Sequence, residues 1–307
     1  MADTFDGYQL ADAWDEMFAA PAANWELVSR GARQRVLAVE AFLADVYGPG
    51  HAFEGAVVPW NLVCASDTFR REVAGFAPPN GVRCQVSSID LSRDERGTFR
   101  VLEDNVQVPS GVSGVIENRL AMTRLLAALR SAAPPGVADP FVVVLTPGAR
   151  TAAYLEDALL ARRLGLELVE GRDLFCWRNR VYVHTRTGRR PVDVIYRRVD
   201  DGWLDPMQFR PDSTLGCPGL VNAARAGNVT IANAVGNGVA DGARVSAYMP
   251  DLIRYYLGQE PVLENMESGR PAGEKPACRH AGLRLFAVND GNDVWVLPGG
   301  RVGEEAG

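Results

Sequence analysis

The sequence predicts an α/β fold with α+β elements, mixed sheets carrying flanking helices, and three observations predict it. Residues 84–105 read as an antiparallel hairpin, residues 141–170 as a βαβ unit, and residues 282–297 as a second hairpin. Strands joined by a tight turn belong to antiparallel pairs, whereas strand, helix and strand in series belong to a parallel sheet. The 307 residues, 47% hydrophobic and 23% charged, suffice for one large domain or two modest ones.

The first fifty residues read as helices with polar breaks. In residues 31–47, apolar Val36, Leu37, Val39, Phe42, Leu43 and Val46 recur near helical spacing, and Gly48, Pro49 and Gly50 end the pattern. Residues 57–64 are apolar but contain Pro59, so their state stays open. The first hairpin follows. Residues 84–91 alternate, residues 94–97 turn, and residues 98–105 return. Alternation points Glu103 and Asn105 to one side and Asp104 to the other. Cross-strand placement brings Asp90 and Glu103 to one face, with the register open by one residue. A carboxylate and an amide oxygen side by side, Glu103 and Asn105, suit a hard cation such as Mg²⁺. Pro109, Ser110 and Gly111 then turn the chain before a helix over residues 113–130, with Glu117, Asn118 and Arg119 near its start.

Residues 131–140 read as a linker. Beyond it, residues 141–145 form a continuous apolar run, residues 149–164 a helix, and residues 166–170 a second strand. The turn at 146–150 lacks the glycine-rich dinucleotide fingerprint, which weakens any nicotinamide reading. Residues 175–183 and 192–199 read as further strands, with a loop between them at 186–190. Arg197, Arg198, Asp200, Asp201 and Asp205 cluster after the second. A helix over 216–226, opened by Pro218, leads through Gly227 and Asn228 to a short strand. Asn233, Gly236, Asn237, Gly238 and Asp241 then make a small-residue loop ahead of a helix over 244–257. Such a loop lets backbone approach a ligand, and free N–H groups at a helix start can bind anions. Residues 266–276 read as a linker, and Asp290-Gly291-Asn292 turns the final hairpin.

Composition narrows the function. A formal charge of −6 argues against a nucleic-acid partner held by a broad basic surface. No apolar run reaches the roughly 20 residues of a membrane span, and the acidic N-terminus is no signal peptide, so the expected address is cytoplasmic. Five scattered cysteines without a Cys-x-x-Cys, and three dispersed histidines, indicate neither a disulfide framework nor a zinc site. Lys275 is the only lysine. Any cation a reaction needs must therefore come from arginine, metal or helix termini.

Four stretches carry a resemblance. They are Val101–Ser113 with Glu117, Asn118 and Arg119; residues 194–206; residues 227–241 with 248–257; and residues 283–300. Together they resemble the circularly permuted ATP-grasp proteins, the group related to glutathionylspermidine synthase. The resemblance implies an ATP-grasp-like fold, with a Rossmann-like pre-ATP-grasp βαβ region. It also implies ATP- and Mg²⁺-dependent joining of a small-molecule carboxylate to an amine through an acyl phosphate. By similarity, Asp90, Glu103 and Asn105 hold Mg²⁺. Arg197 and Arg198 act in catalysis, and Ser110, Gly111, Asn228, Asn233, Gly236, Gly238 and Asp241 contact nucleotide or substrate.

The text also departs from the family. Relatives run on after the equivalent of residues 261–265 into a long stretch with the ATP-grasp strands and a nucleotide-contacting lysine, whereas residues 266–278 here bridge to the late hairpin. The usual Asp-Asp-Lys reads Asp241-Gly242-Ala243, and the chain ends in Glu-Glu-Ala-Gly where the family continues with an arginine-bearing strand. The expected organisation is a truncated one. An N-terminal lobe with the metal hairpin covers 1–130, a βαβ lobe 141–265, a linker at an internal deletion 266–281, and an ATP-grasp hairpin 282–300. Two functions follow: a carboxylate–amine ligase, or a non-catalytic remnant serving as scaffold or interaction module. A protein partner or self-association through the exposed lobe surface accompanies the second. A metal-dependent hydrolase is set aside, because no histidine stands near as general base.

Overall fold

Residues 22–111, 119–185, 188–241, 243–266 and 282–302 are described by the computed structural model. Glu117 and Asn118 near the expected helix start, Gly242, and residues 267–281 of the expected linker with Lys275 lie outside them. Helix α1 (Ala22–Val46) starts earlier than its sequence pattern. Its buried Val28, Ala32, Val36, Val39, Leu43 and Val46 recur every three or four residues. The first three face one apolar cluster and the last three another, so α1 bridges two cores. Gly31 makes room for this, since a Cβ there would fall 2.4 Å from Leu263. Short helices α2 (His51–Glu54) and α3 (Trp60–Cys64) follow, the latter settling the open stretch with Pro59 at its N-cap.

Strands β1 (Val86–Arg93) and β2 (Phe99–Asn105) form the expected hairpin, and α4 (Arg119–Ser131) follows. Then come β3 (Val142–Leu145), α5 (Tyr154–Leu164) and β4 (Glu167–Val169), a βαβ unit with β3 and β4 parallel. The strand expected over 175–183 is two strands, β5 (Leu174–Trp177) and β6 (Arg180–Thr185). Arg178 and Asn179 turn the chain between them with φ of 50° and 55°, a left-handed conformation that asparagine tolerates and that the apolar pattern hid. The expected loop over 186–190 contributes to a third strand, β7 (Gly188–Pro191).

Next are β8 (Val194–Arg197), α6 (Asp201–Leu204), α7 (Leu220–Arg225) and β9 (Thr230–Ala232). The single helix expected over 244–257 is broken into α8 (Ala243–Ser246) and α9 (Met249–Leu257). Pro250 sits in the first turn of α9, where its missing N–H costs nothing, and it cannot continue a helix from before. The chain described here finishes with β10 (Glu264–Asn265), β11 (Gly282–Asn289) and β12 (Val294–Val302).

Among the described residues three sheets result. The parallel sheet has the order β4-β3-β8-β9, the small antiparallel sheet β5-β6-β7, and the largest sheet β10-β2-β1-β11-β12. The late hairpin is thus no separate unit. β11 pairs along β1 from Val86↔Val288 to Leu91↔Leu283, nearly two hundred residues away in sequence. Segment 131–140 joins parts that share an apolar cluster, which runs from Ala38 on α1 to Ile253 on α9.

Candidate functional site

The polar row across the largest sheet is set by strand register. Glu103 on β2 lies opposite Asp90 on β1, and Asp90 lies opposite Arg284 on β11. A bulge between Asp90 and Leu91 falls at this point in the ladder, the kind of irregularity that re-aims side chains next to sites. Asn105 pairs with Ser88, two residues along on the same side as Glu103. Asp104 points the other way, as alternation requires. It is buried with Arg35, whose guanidinium also reaches Asn265 Oδ1 at 2.9 Å, so this carboxylate knits α1, β2 and β10 together.

Arg284 organises the row. Its Nε and Nη2 each donate to an Asp90 oxygen at 2.6 Å, a bidentate pair, and its Nη1 donates to the Ser110 carbonyl at 3.1 Å and the Ser110 hydroxyl at 3.4 Å. The hydrogen bond to Asp90 raises its pKa despite partial burial, with the charges of Glu103 and Glu156 adding to the rise. Gly111, at φ 76°, passes so close that a Cβ would meet the Arg284 guanidinium at 2.8 Å. The structure therefore brings Asp90, Glu103, Asn105, Ser110 and Gly111 into one corner. Sequence reasoning missed Arg284, which bonds Asp90 and Ser110 and lies against Gly111. Its signal, a charged residue inside an alternating strand, carried no hint that this strand pairs with β1.

The corner adjoins the carboxyl ends of the parallel strands. β3 sits between β4 on one side and β8 on the other, so the order reverses there, the place where open α/β sheets bind ligands. Arg198 follows β8 at this point. It donates to Asp157 at 2.8 Å, to Glu156 at 2.9 Å and to the Pro109 carbonyl, tying α5 to the loop that carries Ser110. Thr146, at the end of β3, donates to the other Asp157 oxygen at 2.7 Å.

The two arginines expected in catalysis are bonded within the fold. Arg197 is 1% exposed. Its Nε, Nη1 and Nη2 donate to the carbonyls of Asn233, Val199 and Ala234 at 2.8, 2.9 and 3.1 Å, and it pairs with Asp201 at 2.8 Å. Arg198, also buried, has all three nitrogens engaged as described above. In both, Nε, Nη1 and Nη2 each make at least one such bond.

The small-residue loop is likewise a structural plug. The Asn233 amide accepts from Val86 N–H at 2.9 Å and donates to the Val86 and Val106 carbonyls at 2.6 and 2.8 Å, which clamps β9 to β1 and β2. Gly236 N–H donates to Asp201 at 3.0 Å, and the Tyr47 ring fills the space where a Cβ would be, 2.5 Å away. A Cβ at Gly238 would fall 2.8 Å from the Gln107 side-chain oxygen. Asp241 accepts from the N–H groups of Val106 and Gln107. Burial pushes its pKa up to about 7, against the two N–H bonds that oppose the rise. Residues 233–240 are buried, so their backbone faces protein where the sequence suggested a phosphate. Asn228 stands apart at the opposite end of β9, donating to the Asn179 carbonyl at 2.8 Å.

Similarity to known proteins places these features in a family. A family model described as a circularly permuted ATPgrasp matches residues 122–277, and one described as circularly permuted ATP-grasp type 2 matches residues 19–131. The chain belongs to the circularly permuted ATP-grasp family. An uncharacterized protein of Mycobacterium leprae is 43% identical over 367 positions, covering 91% of this chain and 65% of that protein. One from Mycobacterium bovis is equally similar, with 67% of its length covered. The chain thus spans about two thirds of these mycobacterial relatives. A Frankia alni protein named "Putative glutamate--cysteine ligase 2-3" is 38% identical, over 84% of this chain and 32% of its own length. The mycobacterial alignments run over 367 positions against a chain of 307 residues, so those relatives carry positions inside the matched span that this chain lacks. Among the described residues no helix is long and apolar enough to cross a membrane.

Proposed function

We propose that the row Glu103, Asp90 and Arg284, with Asn105, Ser110 and Gly111 beside it, is the Mg²⁺ and phosphate end of an ATP-dependent carboxylate–amine ligase site. The observation that carries this reading is the register across three strands, which lines up two carboxylates and a guanidinium next to a topological switch point. The donor set fits the cation. A carboxylate has about four lone-pair sites, and a bidentate guanidinium takes one on each Asp90 oxygen, leaving the others for a metal. Asp90, Glu103 and Asn105 would hold Mg²⁺, which when bound neutralises phosphate charge. Arg284, fixed by Asp90 and Ser110, offers a planar cation at the same place, as phosphate oxygens prefer. The family and the printed name of the Frankia relative support the substrate class, a small carboxylate joined to a small amine.

A second reading, a non-catalytic remnant acting as scaffold or interaction module, is favoured by the positions that relatives carry and this chain lacks. Thermal denaturation with and without Mg²⁺–ATP separates the two. A ligand at 100 times its dissociation constant stabilises the fold by about 2.7 kcal/mol. The ligase reading expects a rise in midpoint that Glu103→Ala removes. No rise at millimolar Mg²⁺–ATP sinks it and leaves the remnant.

A further inference from the structure

Far from the acidic corner, two thiols meet. Cys176 lies on β5 and Cys217 just ahead of α7, 41 residues apart in sequence, and their Sγ atoms are 3.6 Å apart. Both are free cysteines; Cys217 is fully buried and Cys176 is half-buried, so one sulfur is reachable from solvent and the other waits beneath it. The backbone fixes the approach. Cys217 N–H donates to the Leu204 carbonyl at 2.9 Å, and Asp205 accepts from the N–H groups of Gly219 and Val221 at 3.0 and 2.9 Å. Gly219, at φ 84°, lets β5 come near, because a Cβ there would lie 3.3 Å from the Cys176 Cβ. A disulfide needs the sulfurs at about 2 Å, closer than they stand in the reduced chain.

We propose that Cys176 and Cys217 are a reversible covalent modification site, which a peroxide closes to an intramolecular disulfide. In the first step the Cys176 sulfur attacks the peroxide O–O bond. One oxygen becomes the sulfenic hydroxyl on Cys176, and the other leaves as water with the thiol proton. In the second, Cys217 Sγ attacks Cys176 Sγ, the S–S bond forms, the S–O bond breaks, and hydroxide leaves as water with the Cys217 proton. Two thiols lose two electrons, and one peroxide becomes two waters. The roles follow from environment. The hydrogen bond from Cys217 lowers the Cys176 pKa against the effect of burial, which favours its thiolate, whereas that same contact and burial push Cys217 up. Cys84, by contrast, is fully buried, with its pKa raised well above the ordinary thiol value by burial. The bond would staple the β5-β6-β7 sheet to the segment that opens α7.

The test uses the full reduced chain treated with limiting hydrogen peroxide, quenched by alkylation and digested without reductant. The expected product is one peptide pair joined through Cys176 and Cys217, two hydrogen masses lighter than the thiols, and restored by dithiothreitol. Cys217→Ser should instead trap a sulfenic acid on Cys176 that reacts with dimedone, and Cys176→Ser should give neither product. Oxidised wild type should also melt at a higher temperature than reduced. If Cys217→Ser does not fold, the half-buried Cys176→Ser and the wild-type peptide map carry the test. Oxidation at Cys64 without the joined pair, or a folded wild type whose Cys176 and Cys217 both alkylate after peroxide, overturns the proposal.

Discussion

The corner around Arg284 and the loop from Asn233 to Asp241 are made of the same residue types, and they do opposite things. In the loop, polar side chains satisfy backbone. Asn233 joins three main-chain groups of two strands, and Arg197 takes three carbonyls. In the corner, charged side chains face one another across strands, and the guanidinium of Arg284 stands between carboxylates and a loop carbonyl. A buried polar group bonded to backbone holds a fold together. A row of charges bonded to one another keeps lone pairs that a ligand can use. Glycines in the two regions differ in the same way, Gly236 being filled by Tyr47 while Gly111 lies against a charged side chain.

The largest effect expected from breaking this contrast is at Arg197 on β8, whose guanidinium bonds the loop carbonyls of Asn233 and Ala234. Replacing Arg197 by methionine leaves buried Asp201 with only Arg70, 3.8 Å away, as a cation and takes a donor from each of three carbonyls, which should cost about 3–5 kcal/mol in urea denaturation. A loss below 1 kcal/mol would mean that Arg197 is not committed to the fold. Arg284→Met should cost less, about 1–3 kcal/mol, because its carboxylates are closer to solvent. Removing that cation leaves Asp90 and Glu103 facing each other, so Mg²⁺ should restore stability more than sodium at equal ionic strength. Equal recovery by both ions would reduce the corner to ordinary screened charge.

A third effect concerns pH. Asp241 holds its proton in the folded state up to about pH 7, well above its unfolded range. Its contribution is fully present below the ordinary carboxylate range and is lost as pH rises through about 7, with a slope of at most about 1.4 kcal/mol per pH unit. Asp241→Asn keeps an oxygen for the Val106 and Gln107 N–H groups and should flatten that part of the stability curve. An unchanged slope would place the titration elsewhere.

How much of this was legible depends on distance along the chain. The Asp90–Glu103 pairing was readable because a short turn fixes a hairpin's register, and Asp104 followed from alternation. Arg284 was not, because β11 reaches β1 only through tertiary contacts that no local pattern encodes. The loop misled for a related reason. Asn, Gly and Asp at a strand end suit an anion, and they equally suit a backbone that two other strands must bond. Only packing against Tyr47, Val86 and Val106 distinguishes these. The helix break at Pro250 and the turn at Arg178-Asn179 were visible as residues, but their neighbours' apolar spacing outweighed them.

The proposed function puts charged-ligand binding at the Arg284 corner and not at the Asn233–Asp241 loop. Isothermal calorimetry of Mg²⁺–ATP on wild type, Glu103→Ala and Asp241→Asn tests it most directly. The account predicts binding to wild type, binding within about threefold of it for Asp241→Asn, and none for Glu103→Ala, with all three folded. Binding that survives Glu103→Ala and disappears in Asp241→Asn would contradict it.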